Sequence, residues 1–67
     1  MKLDCLKIEM ALAEKGLSKS KYAELCRISR QNLSTILRRG SCEPTTAGKL
    51  AAGLGVSVCE IIKGENR

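Results

Sequence analysis

Apolar residues recur at helical spacing along the first part of the chain, over residues 3–15. They form two parallel rows, flanked by Lys7, Glu9 and Glu14: Leu3, Leu6, Met10 and Ala13 in one row, and Cys5, Ile8 and Leu12 in the other. A broad apolar stripe of this kind is typical of a helix that packs on a core. Gly16 follows directly and tolerates the left-handed dihedrals that end many helices. We therefore predict helix one over 3–15.

Two short helices with a tight connection are predicted in the middle of the chain. Ser18 is a good N-cap for helix two, Lys19–Cys26, and Ser29 is a good N-cap for helix three, Arg30–Arg39. The residues expected to face inward are Tyr22, Ala23 and Cys26 in helix two, and Leu33, Ile36 and Leu37 in helix three. A pair of helices joined in this way predicts a helix-turn-helix motif.

The remaining pattern predicts a loop and two more helices. Residues 40–44 contain glycine and proline and form the principal loop, after which Thr45 or Thr46 should cap helix four, which ends at Gly55. Residues 57–60 have the spacing of a capping box and predict a short helix five. Residues 64–67 offer nothing to bury, and we expect them to fray.

Composition supports an all-α fold. Tyr22 is the only aromatic residue among 67, and the chain contains no His, so the core must consist of aliphatic, Met and Cys side chains. Such a composition favours helices packed on helices. A chain this short supports one core, so we expect a single domain over 1–67 with its core over about 3–63.

The net charge of +5 is concentrated in one segment. Residues 19–39 contain six basic residues and one acidic residue, whereas the rest of the chain contains six of each and is neutral. A neutral body with one basic segment indicates a partner that is a polyanion. An ordinary solvated surface would produce a similar count, so charge alone leaves both interpretations open.

The four cysteines are widely spaced, with no C-x-x-C pair and no histidine to complete a zinc site. Charged residues interrupt the N-terminal stretch where a signal peptide needs an apolar run. We therefore expect reduced thiols, no bound metal and a cytoplasmic protein. No stretch approaches the roughly 18 apolar residues of a membrane span, so we expect no membrane partner.

No catalytic constellation is evident in the sequence. A histidine base is absent, the carboxylates fall on predicted solvent faces, and no cysteine has an activating partner. The glycines late in helix four do not form a phosphate loop. We expect a protein that is not an enzyme, with no cofactor and no small-molecule ligand.

Helix three presents a polar face once its apolar residues are assigned to the core. The outward positions are Arg30, Gln31, Ser34, Thr35 and Arg38. Arginine pairs with the major-groove edge of guanine and glutamine with that of adenine, so the first turn of the helix has the groups that contact bases. Each of these residues alone is equally typical of a solvated helix surface, but the set favours DNA.

A pattern of residues extends over all the predicted helices: Gly16-Leu17-Ser18, Ala23, Ile28-Ser29-Arg30, Leu33-Ser34, Ile36, Pro44 and Leu54-Gly55-Val56-Ser57-Val58. In this pattern the chain resembles the Cro/CI (XRE) family of phage and bacterial regulators, over roughly residues 6–62 without a gap. The resemblance implies a compact five-helix, lambda-repressor-like DNA-binding domain whose helix-turn-helix is formed by helices two and three. It also implies binding of double-stranded operator DNA, usually as a homodimer.

The resemblance implies roles for particular residues. Those expected to contact bases are Arg30, Gln31, Asn32 and Thr35. Those expected to contact phosphates are Lys19, Ser34, Arg38, Arg39 and Ser41. Lys19 stands at the start of helix two, where the helix N-terminus reinforces its charge.

The sequence departs from the family in three respects. Arg27 stands where the turn usually has glycine, so either Arg27 is left-handed, at a cost of about 1 kcal/mol or more, or the turn is built differently. Leu12 and Leu37 replace a buried ion pair of many relatives, and we expect them to meet in the core. Tyr22 replaces an aliphatic residue.

The function expected from the sequence is that of a transcriptional regulator, a repressor of phage or mobile-element type that binds a palindromic operator. Such a protein would lie in the bacterial cytoplasm, at the nucleoid when bound. Apolar residues near the C-terminus, Val56, Val58, Ile61 and Ile62, suggest a homodimer surface. The alternative is a protein-interaction module, antitoxin-like or a cofactor, that uses the same fold.

Overall fold

Four α-helices and one short turn of 3-10 helix form the protein in a computed structural model that describes residues 1–63. The elements are α1 (Cys5–Lys15), α2 (Lys19–Cys26), α3 (Arg30–Arg39), α4 (Pro44–Leu54) and the 3-10 turn Val58–Glu60. Among the described residues there are isolated β-bridges but no strand. The all-α prediction is confirmed, whereas the predicted fifth helix is only the 3-10 turn. The predicted fraying of 64–67 lies outside the described residues.

Side-chain caps set the starts of the first three helices. Ser18 and Ser29 are the N-caps of α2 and α3, and their hydroxyls accept hydrogen bonds from the amides of Lys21 (3.1 Å) and Asn32 (3.0 Å). Both caps were predicted from the sequence. Asp4 caps α1, so this helix begins at Cys5, two residues later than predicted.

The cap predicted for helix four is wrong, whereas Ser57 does stand at the N-cap position of the last element but without the predicted capping box. Helix α4 begins one residue before Thr45, at Pro44, with Glu43 in the N-cap position and no side-chain cap bond. Proline is suited to the first helical position because its missing N–H would have no partner there. Ser57 likewise forms no side-chain cap bond, so the predicted capping box is absent.

Each helix contributes residues to one hydrophobic core. Its members are Leu3, Ile8, Leu12, Tyr22, Ala23, Cys26, Leu33, Ile36, Leu50, Ala51, Leu54 and Ile61. Leu37 is partly buried against the same cluster that contains Leu12, in agreement with a shared apolar environment for these two residues. No charged or polar side chain is buried among the described residues.

The two apolar rows of α1 differ in how far their helical residues are buried. Ile8 and Leu12 are buried, and Cys5 packs against the core. Leu6 and Met10 are 69% and 56% exposed, so the prediction that their row packs inward is wrong. A single helix can turn only one of two opposed stripes toward the core, and spacing does not say which one.

Residues 1–4 form an extended segment between two other parts of the chain. On one side the Leu3 amide donates to the Gly40 carbonyl (2.9 Å) and the Cys42 amide donates to the Met1 carbonyl (3.0 Å). On the other side the Asp4 amide donates to the Ile61 carbonyl (2.7 Å) and the Lys63 amide to that of Lys2 (2.9 Å). This N-terminal segment therefore connects the end of α3 to the end of the described chain.

Helices α2 and α4 approach each other closely at Gly53. A Cβ atom at this position would lie 2.5 Å from the Cys26 Sγ and 3.0 Å from a ring carbon of Tyr22. Tyr22 is fully buried, and its hydroxyl donates a 2.7 Å hydrogen bond to the Leu50 carbonyl. Tyrosine thus replaces an aliphatic residue without leaving its polar group unpaired.

Candidate nucleic-acid interface

The turn between α2 and α3 is built on a left-handed arginine. Arg27 has φ 63° and ψ 38°, and it is the only non-glycine residue with positive φ among residues 1–63. The amides of Arg27 and Ile28 donate to the carbonyls of Glu24 and Ala23, both at 3.0 Å. These bonds satisfy the carbonyls at the end of α2. Of the two conformations left open by the sequence, Arg27 adopts the strained one.

The rotation of α3 about its axis is set by its buried residues. Leu33 is fully buried and Ile36 is 8% exposed, whereas Leu37 is only partly covered. At 100° per residue, Gln31, Thr35 and Arg38 lie on the side away from Leu33 and Ile36. The outward surface of α3 is therefore polar at its centre.

The other predicted site residues of α3 flank this centre. Arg30 and Ser34 lie on one flank and Asn32 and Arg39 on the other, and all four are exposed. Thr35 is half-buried, and its hydroxyl donates to the Gln31 carbonyl at 3.0 Å. Because this bond uses the hydroxyl hydrogen, Thr35 can offer a partner its oxygen lone pairs and its methyl group.

A polar cleft of about 400 Å³ lies where α3 ends and α4 begins. Three of the predicted residues, Asn32, Arg39 and Ser41, line it together. Thr46, which the sequence suggested only as a helix cap, also lines the cleft. Recognising Pro44 as the first helical residue would have placed Thr46 in the first turn of α4, beside the loop.

Lys19 lies apart from α3 along the chain, at the first position of α2, and it is exposed. Amides in the first turn of a helix have no partner within the helix, and they give this end a partial positive charge. One of these amides, that of Lys21, donates a hydrogen bond to the Ser18 hydroxyl. A lysine beside the remaining amides suits a phosphate oxygen.

The basic side chains of this surface have no acidic partner within the described part of the chain. The salt bridge found over residues 1–63 joins Lys21 to Glu24 at 3.7 Å, and both side chains are largely exposed. Lys19, Arg30, Arg38 and Arg39 are exposed and form no salt bridge within this range. Their charges are therefore free to act on an external anion.

The remaining candidate chemistry is sparse over residues 1–63. No group of three potential metal ligands occurs there, and the four cysteines are unpaired. Cys26 is buried, and burial raises the pKa of its thiol. None of the described helices has the length and apolar character needed to cross a bilayer.

Comparison with known proteins identifies the family of this chain. The model of the Helix-turn-helix family matches residues 8–61, which include α2, the turn at Arg27, α3 and α4. No curated protein and no solved structure matches the chain. The chain therefore belongs to the helix-turn-helix family of the Cro/CI (XRE) type and is a transcriptional regulator that binds double-stranded DNA.

Proposed function

We propose that the protein is a repressor that occupies a palindromic operator as a homodimer, with α3 of each copy in the major groove. The observation that carries this proposal is the rotation of α3, because burial of Leu33 and Ile36 leaves Gln31, Thr35 and Arg38 directed away from the core. An α-helix fits the major groove, where each base pair presents a distinct pattern of donors and acceptors.

Base contacts are assigned to the first two turns of α3. Arg30 and Gln31 are exposed in its first turn, and each can make two hydrogen bonds to one base edge. Thr35, one turn later, contributes a methyl or hydroxyl-oxygen contact, and Asn32 lies at the flank nearest the polar cleft. These four residues determine which sequence is bound.

Phosphate contacts are assigned to the residues around this centre. Ser34 flanks it on α3, Lys19 stands at the start of α2, and Arg38, Arg39 and Ser41 follow at the end of α3 and in the next loop. Phosphates are the same at every sequence, so these residues supply affinity and position rather than specificity. Occupation of an operator that overlaps a promoter is enough to block transcription, so this surface alone suffices for repression.

The experiment that tests the assignment compares Gln31→Ala with Lys19→Ala across a salt series. The DNA is an operator selected from a random duplex library and a scrambled duplex. We expect Gln31→Ala to cost about 1 to 3 kcal/mol on the operator and to relax preference at one base pair. We expect Lys19→Ala to weaken both duplexes alike and to lower the salt slope by about one.

Lys15→Ala is the matched control, because it removes an exposed lysine from the end of α1, outside the basic segment. It should leave binding to both duplexes unchanged. Equal losses on both duplexes for Gln31→Ala, together with altered base preference for Lys19→Ala, would contradict the assignment. A promoter reporter containing the operator tests repression, and increased expression would overturn that part of the proposal.

A further inference from the structure

The outward side of α1 is apolar, although it covers no part of the core. Leu6 and Met10 are 69% and 56% exposed, and Ala13 is exposed as well. Residues at positions 6, 10 and 13 follow one line along a helix. This line lies opposite the buried Ile8 and Leu12, so α1 has an apolar stripe on each side.

The exposed stripe continues into a groove beside α1. This groove has a volume of about 270 Å³, and its apolar lining consists of Met10, Ala11, Leu54, Val56 and Ile61. The charged residues that line it are Lys7, Glu14 and Glu60. Val56 is 37% exposed at its edge. We call Leu6, Met10, Ala13 and Val56 the α1 patch.

The two charged residues that α1 itself contributes to this groove are self-complementary. Lys7 and Glu14 both line the groove, on the same edge of the stripe, three residues before and four residues after Met10. They are about 10 Å apart along the helix, too far to pair with each other. Both are exposed, and neither forms a salt bridge within residues 1–63.

Lys7 and Glu14 can pair between two copies of the chain that are related by a two-fold axis near the middle of α1. If two α1 helices pack antiparallel about such an axis, Lys7 lies beside the partner subunit's Glu14, and the same pair recurs on the other side. An isologous interface requires one patch with both signs of charge, because each residue meets its complement in an identical surface. A patch that recognised an unrelated protein would not need this symmetry.

The charge distribution also favours approach on this side. Residues 19–39 have a surplus of five positive charges, which would repel the same segment of a second copy. Residues 1–18, which include α1, contain three basic and three acidic residues. The α1 patch, bordered by Lys7, Glu14 and Glu60, is therefore an apolar surface without a surplus of positive charge, on which two cationic copies can meet.

We propose that the α1 patch docks a second copy of this chain through antiparallel packing of α1. The proposal rests on the homodimer in the proposed function and deepens it. It also revises the surface expected from the sequence. Ile61 is buried and Val58 and Ile62 are partly buried, so Val56 is the only one of those four residues that is classed as exposed. The patch is small compared with the roughly 800 Å² per partner of a standard interface, so association is weak and depends on concentration.

The test is sedimentation of the full chain over a concentration series without DNA. Met10→Glu places a charge of the same sign from each copy near the axis, and we expect it to abolish the dimer. Lys7→Glu and Glu14→Lys should each weaken association several-fold, whereas the double variant Lys7→Glu/Glu14→Lys should restore it. Lys49→Glu is the matched control for Lys7→Glu. It replaces an exposed lysine of α4 by the same acidic residue and should leave the dimer intact.

Binding to an isolated half-site separates this proposal from the proposed function. Met10→Glu should bind one half-site as the unaltered chain does, since Met10 lies outside the residues assigned to DNA. A chain that stays monomeric at all concentrations, or a dimer that Met10→Glu leaves unchanged, would overturn the docking surface. If instead the dimer behaves as expected and no duplex is bound specifically, the proposed function fails while the α1 patch stands.

Discussion

The Tyr22 hydroxyl donates a 2.7 Å hydrogen bond to the Leu50 carbonyl and thereby joins α2 to α4 inside the core. This carbonyl also faces the amide four residues later in α4, so it keeps a partner if the hydroxyl is removed. We expect Tyr22→Phe to lower the free energy of unfolding by about 0.5 to 1.5 kcal/mol. The measurement is a urea titration, in which the midpoint should fall while the slope stays unchanged. A rise in stability would show that the bond contributes nothing.

The same hydroxyl makes stability sensitive to alkaline pH. Burial, with a smaller contribution from Cys26, raises the pKa of Tyr22 well above its ordinary value of 10.0. The unfolded chain ionises first, so the stability due to the neutral hydroxyl is complete below pH 10.0 and is lost as pH rises above that value. We expect the free energy of unfolding to fall more steeply above this pH in the unaltered chain than in Tyr22→Phe.

Tyr22 is the only tyrosine, and the chain has no tryptophan, so tyrosinate absorbance reports on this group alone. Absorbance that rises at the ordinary pKa while the helices remain folded would contradict the prediction. Equal pH dependence in Tyr22→Phe would contradict it as well.

Gly53 and Gly48 of α4 should respond in opposite directions to alanine. In both positions alanine favours the helix by up to about 1 kcal/mol. A Cβ at Gly53 would lie 2.5 Å from the Cys26 Sγ, so Gly53→Ala should destabilise the protein by about 1 to 3 kcal/mol. A Cβ at Gly48 meets nothing within 4 Å, so Gly48→Ala should be neutral or stabilising. Thermal unfolding of the two variants measures the difference, and Cys26→Ala should partly rescue Gly53→Ala.

Replacement of Arg27 by glycine should give a more stable protein than replacement by alanine. Both substitutions remove the same charge, so their comparison isolates the left-handed backbone at φ 63°. We expect Arg27→Gly to be more stable than Arg27→Ala by about 1 kcal/mol, because only glycine adopts this conformation without strain. Chemical denaturation of both variants provides the test. Equal stability would mean that the turn relaxes when the side chain is shortened.

Leu12 and Leu37 should differ in their sensitivity to truncation. Leu12 is 4% exposed, and Leu12→Ala should cost about 2 to 5 kcal/mol. Leu37 is only partly buried, so Leu37→Ala should cost less. Leu25→Ala, at a residue that is 48% exposed on α2, is the control and should cost about 1 kcal/mol or less. A small effect of Leu12→Ala would contradict its place in the core.

Local signals predicted the middle of the molecule well. Helices α2 and α3 begin after Ser18 and Ser29, whose caps depend only on residues three positions later. The outward face of α3 followed from its apolar spacing. The start of α1 was missed because Leu3 belongs to an extended segment that is hydrogen-bonded to Gly40 on one side and to residues 61–63 on the other. Contacts between residues so distant in sequence cannot be predicted from the spacing of apolar residues.

Other features could not be predicted because the spacing of apolar residues was compatible with more than one structure. Two apolar rows of α1 compete for one core, and only the assembled fold shows that the row of Met10 stays outside. The left-handed Arg27 was one of two possibilities, and the cleft that unites Asn32, Arg39 and Ser41 depends on how α4 follows α3. Such juxtapositions are properties of tertiary structure.

The N-terminal segment also determines the order in which the molecule can assemble. The turns at the ends of α1, α2 and α3 close over a few residues, whereas the bonds from Leu3 to Gly40 and from Lys63 to Lys2 span most of the described chain. Closing such long loops costs chain entropy that the short turns avoid, so we expect these bonds to form after the local turns during folding. Release of this one segment would remove backbone hydrogen bonds from the end of α3, beside the DNA-binding surface, and from residues 61–63 at the same time.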